Sequence, residues 1–237
     1  MRHTGTATPG TFTGAIRYAR CEAGYGPRVR VLSVNVGRAR LIQTERRTVS
    51  TAIWKSPVEG RVRVRGVNLD GDDQADRSLH GGPDKAVYAY GIEDTRAWET
   101  EIGRALGPGA FGENLTTEGI DVSGALLGER WRVGTTLLEV VQPRLPCFKL
   151  GLRMNDPLFV RRFAQASRPG AYLRIVQEGD LGAGDAIAVD TGALPDHGVT
   201  VRLVFDAILI DHSLVPQALE APQLIPSLRE SMMQMLR

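Results

Sequence analysis

The chain has 237 residues, 42% of them hydrophobic and 24% charged, with a formal net charge of +2. That composition builds one sizeable core and excludes a disordered or fibrous chain. So small a charge argues against nucleic acid or an anionic membrane as partner. No apolar run approaches the roughly 18 residues of a spanning helix, and Gly, Thr and Pro stand where a signal peptide has its apolar centre, so a cytoplasmic protein is expected.

Residues 1–27 are rich in Gly, Thr and Ala without periodicity and read as a poorly ordered leader. Arg30 to Val36 then reads as a strand, and Arg61 to Leu69 alternates basic with apolar residues as a half-buried strand or hairpin does. Lys85 to Tyr90 is a further strand, followed by a helix from Glu93 to Ile102 closed by Gly103. Strands are predicted over 114–117, 129–133 and 136–142, the last ended by Pro143 and Pro146. Asn155 as N-cap with Pro157 inside it predicts a helix to Ala166. Two more strands, 171–177 and 185–190, flank the turn-rich stretch 178–184. Beyond Asp196 the pattern is helical, with Pro216, Pro222 and Pro226 marking short helices. Many short strands and few helices point to a mostly β protein with a closed or sandwich architecture.

Two motifs mislead. Gly107-Pro-Gly109-Ala-Phe-Gly112 has dinucleotide-fingerprint spacing, but a helix precedes it and a strand follows it, the reverse of what that fingerprint needs. Asp70-Gly-Asp72-Asp73-Gln74 begins like a calcium loop, yet Ala75 stands where Gly is required and Gly81 where the bidentate Glu should be. With no Cys-x-x-Cys pair and four His, a structural zinc site is not expected. Two cysteines, Cys21 and Cys147, do not make a disulfide framework and read as thiols.

Three segments place Gly-enabled or Pro-stiffened backbone beside polar groups, which is how a loop presents donors to an anion. They are Gly71-Asp-Asp-Gln-Ala-Asp76-Arg-Ser-Leu-His80-Gly81-Gly82-Pro-Asp-Lys85, Gly109-Ala-Phe-Gly-Glu113-Asn114-Leu-Thr116, and Gln142-Pro-Arg144-Leu-Pro-Cys147-Phe-Lys149-Leu150. In the third, Cys147 lies between Arg144 and Lys149, and neighbouring cations favour a thiolate, the ligand a soft or high-valent metal takes. An inert core cysteine at a strand end fits these residues equally. Of 29 basic residues only Lys55, Lys85 and Lys149 are lysine, which asks what a compact ammonium does at those places.

The same segments resemble the MOSC domain family, in its bacterial YiiM-type branch, collinearly from about residue 30 to residue 190. Thr51-Ala-Ile-Trp-Lys55 is similar to a further stretch of that branch, so all three lysines fall in family motifs. The resemblance implies a closed β-barrel-like domain over residues 28–195 with few helices, and a short helical C-terminal appendage over 196–237. It implies that Cys147 ligates molybdenum of a molybdopterin-type cofactor, with Lys55, Asp76, Gly81, Gly82, Lys85, Asn114, Arg144 and Lys149 binding cofactor or substrate. For Asp72, Asp76 and His80 a structural role in the turn is as good a reading as contact.

The implied reaction is reductive removal of oxygen from N-hydroxylated compounds such as hydroxylamino bases or amidoximes. His80 is the candidate proton donor, since histidine titrates near working pH. No flavin, haem or iron–sulfur motif is visible, so electrons are expected from a separate reductase. Two other readings stay open: a sulfur or cofactor carrier using a Cys147 persulfide, and a hydrolase pairing Cys147 with His80.

Overall fold

The structure, a computed structural model, describes residues 29–45, 47–75 and 81–237; the expected leader lies outside them. Strand β1 (Arg30–Val36) sends Val31 and Val34 into the core. The hairpin of β2 (Arg40–Gln43) and β3 (Thr48–Thr51) follows, a pair the sequence does not announce because most of its residues face solvent. After β4 (Ser56–Pro57), strand β5 (Arg61–Arg65) points Val62 and Val64 inward and its arginines outward, then pairs with β6 (Asn68–Leu69) as the alternation predicts.

Strand β7 (Val87–Gly91) is wholly buried and leads into α1 (Ile92–Ile102). That helix buries Ile92, Thr95 and Trp98 along one face and ends where Gly103, at φ 68°, returns its N–H to the Glu99 carbonyl. Strands β8 (Leu115–Glu118), β9 (Arg130–Val133) and β10 (Thr136–Pro143) come next. Covered on both faces, β10 has the continuous apolar run of a central strand.

Helices α2 (Phe148–Met154) and α3 (Phe159–Ala166) differ from expectation. Asn155 does not start a helix: it ends α2 in the left-handed region at φ 54°. Seven residues straight after two prolines are too few for a helical period to show, which is why α2 escaped the sequence. Strand β11 (Ala171–Gln177) is as predicted, while the turn-rich stretch after it contains β12 (Gly179–Gly182), paired with β5, before β13 (Ile187–Val189). Helices α4 (Val201–Leu209), α5 (Val215–Ala218) and α6 (Pro226–Met235) complete the chain. Thr200 caps α4 by accepting from Leu203 N–H at 3.1 Å, and prolines open α5 and α6.

Eight strands form one sheet in the order β13-β9-β10-β11-β7-β8-β1-β4, antiparallel except for the parallel β7–β8 pair. Separate sheets hold β12-β5-β6 and β2-β3. The closed barrel, and the mostly β class with it, are therefore wrong: this is a mixed α/β fold with six α-helices among the described residues, and no sheet closes. Between β1 and the β13 region there is an isolated bridge, Arg30 to Ala186, not a ladder. Counting short strands misleads because the count does not show how they divide among sheets.

Two cores result. One lies on the large sheet and takes in Leu115, Trp131, Leu138 and Val204. The other is aromatic, joining Tyr88 and Tyr90 of β7 to Trp98, Phe111, Phe159 and Phe163, each buried ring contributing on the order of 2–3 kcal/mol. Among the described residues no helix is long and apolar enough to cross a membrane.

Candidate active site

The strand ends and loops on one side of β7, β10 and β11 enclose a cleft of about 100 Å³. Lys55, Asp72, Lys85, Asn114, Arg144, Cys147 and Lys149 all line it, brought together from four stretches of sequence. Gly81 and Gly82 are not on its lining. Gly82, at φ 89°, opens the turn Pro83–Lys85 and donates its N–H to Gln74 Oε1 at 3.1 Å. Asp76 and His80 lie outside the described residues.

One wall is organised by Asp72. Its Oδ1 accepts from Gly37 N–H at 2.8 Å and from Lys55 Nζ, and its Oδ2 from Asn114 Nδ2 at 3.0 Å. Lysine and aspartate are both buried, their side chains 8% and 3% exposed. Burial lowers the Lys55 pKa, and the adjacent Asp72 charge offsets part of that. Asn114 also donates to the Asn35 carbonyl at 3.2 Å and accepts from Tyr88 N–H at 3.1 Å, tying β8 to β1 and β7. Lys55 and Asn114 are thus already engaged within the protein.

Behind this wall the Gly109–Gly112 turn is seated on the Lys55 segment. Gly109 has φ +80°, and a Cβ there would meet the Lys55 carbonyl oxygen at 2.7 Å. Glu113, 1% exposed, holds the turn by accepting from Gly109 N–H at 2.6 Å, Phe111 N–H at 3.0 Å and Thr116 Oγ1 at 2.9 Å. Burial raises its pKa, and these hydrogen bonds pull it back down. It makes no ion pair among the described residues.

The opposite wall starts where β10 ends at Pro143. Arg144 is 5% exposed, with its guanidinium carbon 5.2 Å from the Phe163 ring centroid and 5.8 Å from that of Tyr88. Its Nη1 has no hydrogen-bond partner among the described residues. Cys147 follows in extended conformation (φ −132°, ψ 168°), half-buried, immediately before α2. Lys149 on the first turn of α2 is 8% exposed and forms no ion pair among the described residues. Tyr88, Phe111 and Tyr172 add aromatic surface that sequence reasoning missed. Tyr172 reaches the cleft only because β11 sets it opposite Tyr88 and Gln142, a register no local motif reveals.

This donor set fits a molybdenum cofactor in two respects. A buried guanidinium with an unsatisfied N–H beside a second cation suits an anionic group such as a phosphate, and a half-buried thiol in the same cleft suits a soft metal. Among the described residues no three His, Cys, Asp or Glu side chains cluster as a metal cage, so Cys147 would act as a single protein ligand.

Residues 76–188 match the MOSC domain model. The YflK protein of Bacillus subtilis is 36% identical over 157 residues, which is 66% of this chain and 71% of that protein. A protein of Gibberella moniliformis named a reductase is 30% identical over 179 residues, 73% of this chain but 32% of its own length. The crystal structure of YiiM from Geobacillus stearothermophilus superposes with a TM-score of 0.69 at 30% identity, covering 88% of this chain and all of that one. By these matches the chain belongs to the MOSC domain family, whose domains are associated with binding of the molybdenum cofactor.

Proposed function

We propose that the protein is a molybdenum-dependent oxidoreductase that reduces N-hydroxylated small molecules, with Cys147 as the protein ligand to the metal of a molybdopterin-type cofactor. The observation that carries this reading is the Cys147 wall: a half-buried thiol and a buried arginine line the same cleft, and the arginine Nη1 is buried with no hydrogen-bond partner among the described residues. When bound, the cofactor supplies two-electron chemistry at molybdenum for cleaving a substrate N–O bond. Arg144 and Lys149 hold its anionic portion, Lys85 adds positive charge across the cleft, and the Lys55–Asp72–Asn114 network keeps the facing wall rigid. Tyr88, Phe111 and Tyr172 offer flat apolar surface to a planar substrate such as a hydroxylamino base. His80 remains the proposed proton donor on its sequence position alone.

Electrons come from a separate reductase. The Gibberella relative supports this division: this chain matches less than a third of a protein named a reductase, leaving room in that polypeptide for further components. The protein works in the cytoplasm on small molecules, with neither nucleic acid nor membrane as partner.

The test is Cys147→Ser made in a host that supplies molybdopterin. Molybdenum bound per chain is expected to fall to background by elemental analysis while the far-ultraviolet circular dichroism is unchanged. Full metal occupancy in that variant removes the assignment. Sulfane sulfur on wild-type Cys147 with no molybdenum would make the protein a carrier instead. Rapid alkylation of the metal-free protein by a substrate-like electrophile would make it a hydrolase.

A further inference from the structure

Two tyrosines line the cleft, and their hydroxyls are used differently. Tyr88 is 3% exposed and donates its hydroxyl proton to the Pro169 carbonyl at 2.8 Å. Tyr172 is half-buried and donates to no protein acceptor among the described residues. Its hydroxyl is hydrogen-bonded to Arg144. A guanidinium has donors and no acceptor, so the phenol oxygen accepts and its own O–H is left to donate. A cation on the oxygen polarises that O–H and makes it the stronger donor. The ring is fixed by its neighbours: β11 sets Tyr172 opposite Tyr88 in β7 and Gln142 in β10, and the two tyrosine rings pack with centroids 5.1 Å apart. Burial raises the Tyr172 pKa against the pull of Arg144, and negative charge on Cys147 raises it further. The hydroxyl is therefore neutral at working pH and stands near the thiol.

The other uncharged side-chain donors on the lining are spent or covered. The amides of Asn68, Gln74 and Asn114 donate to the Asp72 carbonyl at 2.9 Å, the Val67 carbonyl at 2.7 Å and the Asp72 carboxylate at 3.0 Å. Thr51 is 2% exposed, and its hydroxyl oxygen accepts from the Ile53 N–H at 3.2 Å. The cations Lys85, Arg144 and Lys149 suit an anion. With those committed to charge, Tyr172 is the side-chain donor left for an uncharged oxygen.

We infer that Tyr172 recognises the oxygen of the substrate N–OH group, donating a hydrogen bond to it beside Cys147, and so sets the preference of the cleft for the hydroxylated compound over its deoxygenated product. This rests on the reading that the substrates are N-hydroxylated. Reduction replaces N–OH by N–H, which takes away the acceptor. A site built to hydrogen-bond one oxygen discriminates against the analogue lacking it, because its donor is then stranded. The product leaves once the contact that held the substrate is gone.

Binding is tested without turnover, by calorimetry on protein as purified from a host that supplies molybdopterin, with no reductant present and with 6-hydroxylaminopurine and adenine as paired probes. The wild type is expected to bind 6-hydroxylaminopurine about tenfold more tightly than adenine. Tyr172→Phe keeps the ring and removes the hydroxyl; it is expected to bind the two probes equally, with adenine affinity unchanged. Tyr90→Phe, which removes a hydroxyl that accepts from Trp98 Nε1 at 2.9 Å in the aromatic core, is expected to keep the preference. No preference in the wild type, a preference retained in Tyr172→Phe, loss of affinity for both probes alike in that variant, or loss of the preference in Tyr90→Phe as well would each overturn the assignment. In turnover driven by reduced methyl viologen, Tyr172→Phe is expected to raise KM about tenfold with kcat little changed; a fall in kcat at unchanged KM would overturn it. Failure of the wild type to reduce 6-hydroxylaminopurine counts against the reaction, whereas the calorimetry judges the recognition alone.

Discussion

The two walls of the cleft carry similar residues and treat them differently. On the Asp72 wall the buried charged groups are matched, lysine to aspartate and glutamate to three donors, and Asn114 to a carbonyl, a carboxylate and a backbone N–H, while the amide oxygen of Asn68 is left without a partner among the described residues. On the Cys147 wall a buried arginine is left with one nitrogen unmatched. A satisfied network resists change and positions its neighbours; an unsatisfied buried group is kept at a cost of about 1–3 kcal/mol, which selection tolerates where a ligand completes it. The difference separates residues that hold the site from residues that hold its occupant.

Three substitutions press on that division, in falling order of expected effect. Asp72→Ala strands the Lys55 ammonium in the interior, and an unpaired buried charge costs about 3–5 kcal/mol. Thermal unfolding should come roughly 10 °C earlier, with much of the loss recovered by adding Lys55→Met. A drop no larger than that of a surface variant would mean this wall is not a clamp. Arg144→Met removes one unsatisfied nitrogen and gives up a hydrogen bond to Tyr172, two effects of opposite sign, so the change in stability from urea unfolding should stay below about 1 kcal/mol. Affinity for pyrophosphate, by calorimetry, should fall about tenfold. The opposite outcome, large destabilisation with unchanged anion affinity, would put Arg144 with the structural wall.

The smallest effect is a pH slope. Burial holds the Glu113 pKa above its ordinary 4.5, so the folded chain keeps a proton that the unfolded chain has already released. Stability contributed by this group therefore falls as pH rises above 4.5, by at most about 1.4 kcal/mol per pH unit. Glu113→Gln lacks that slope while losing one acceptor oxygen. The advantage of wild type over variant in urea unfolding should narrow from pH 4 upward, and a constant gap would show the carboxylate to be charged throughout.

Much of the Asp72 and Cys147 walls was legible because the residues come in short runs with glycine or proline spacing, and because lysine is rare in an arginine-rich chain. Strand positions such as Arg61–Arg65 followed from alternation. Pairing did not: β12 joins β5 across more than a hundred residues, and whether a sheet closes depends on such partners, so the barrel expectation failed. Helix α2, which carries Lys149 and follows Cys147, is too short for periodicity and hidden behind Pro146. Tyr172 has no motif at all, and only the β11 register brings it to the cleft.

The stacking of Arg144 between Tyr88 and Phe163 has a thermodynamic corollary. Its guanidinium is stripped of bulk water when the chain folds, so an arriving anion meets a donor whose dehydration is already complete. Occupancy and folding stability then become one linked equilibrium. The melting temperature of the purified protein becomes a gauge of how much of it still carries its ligand.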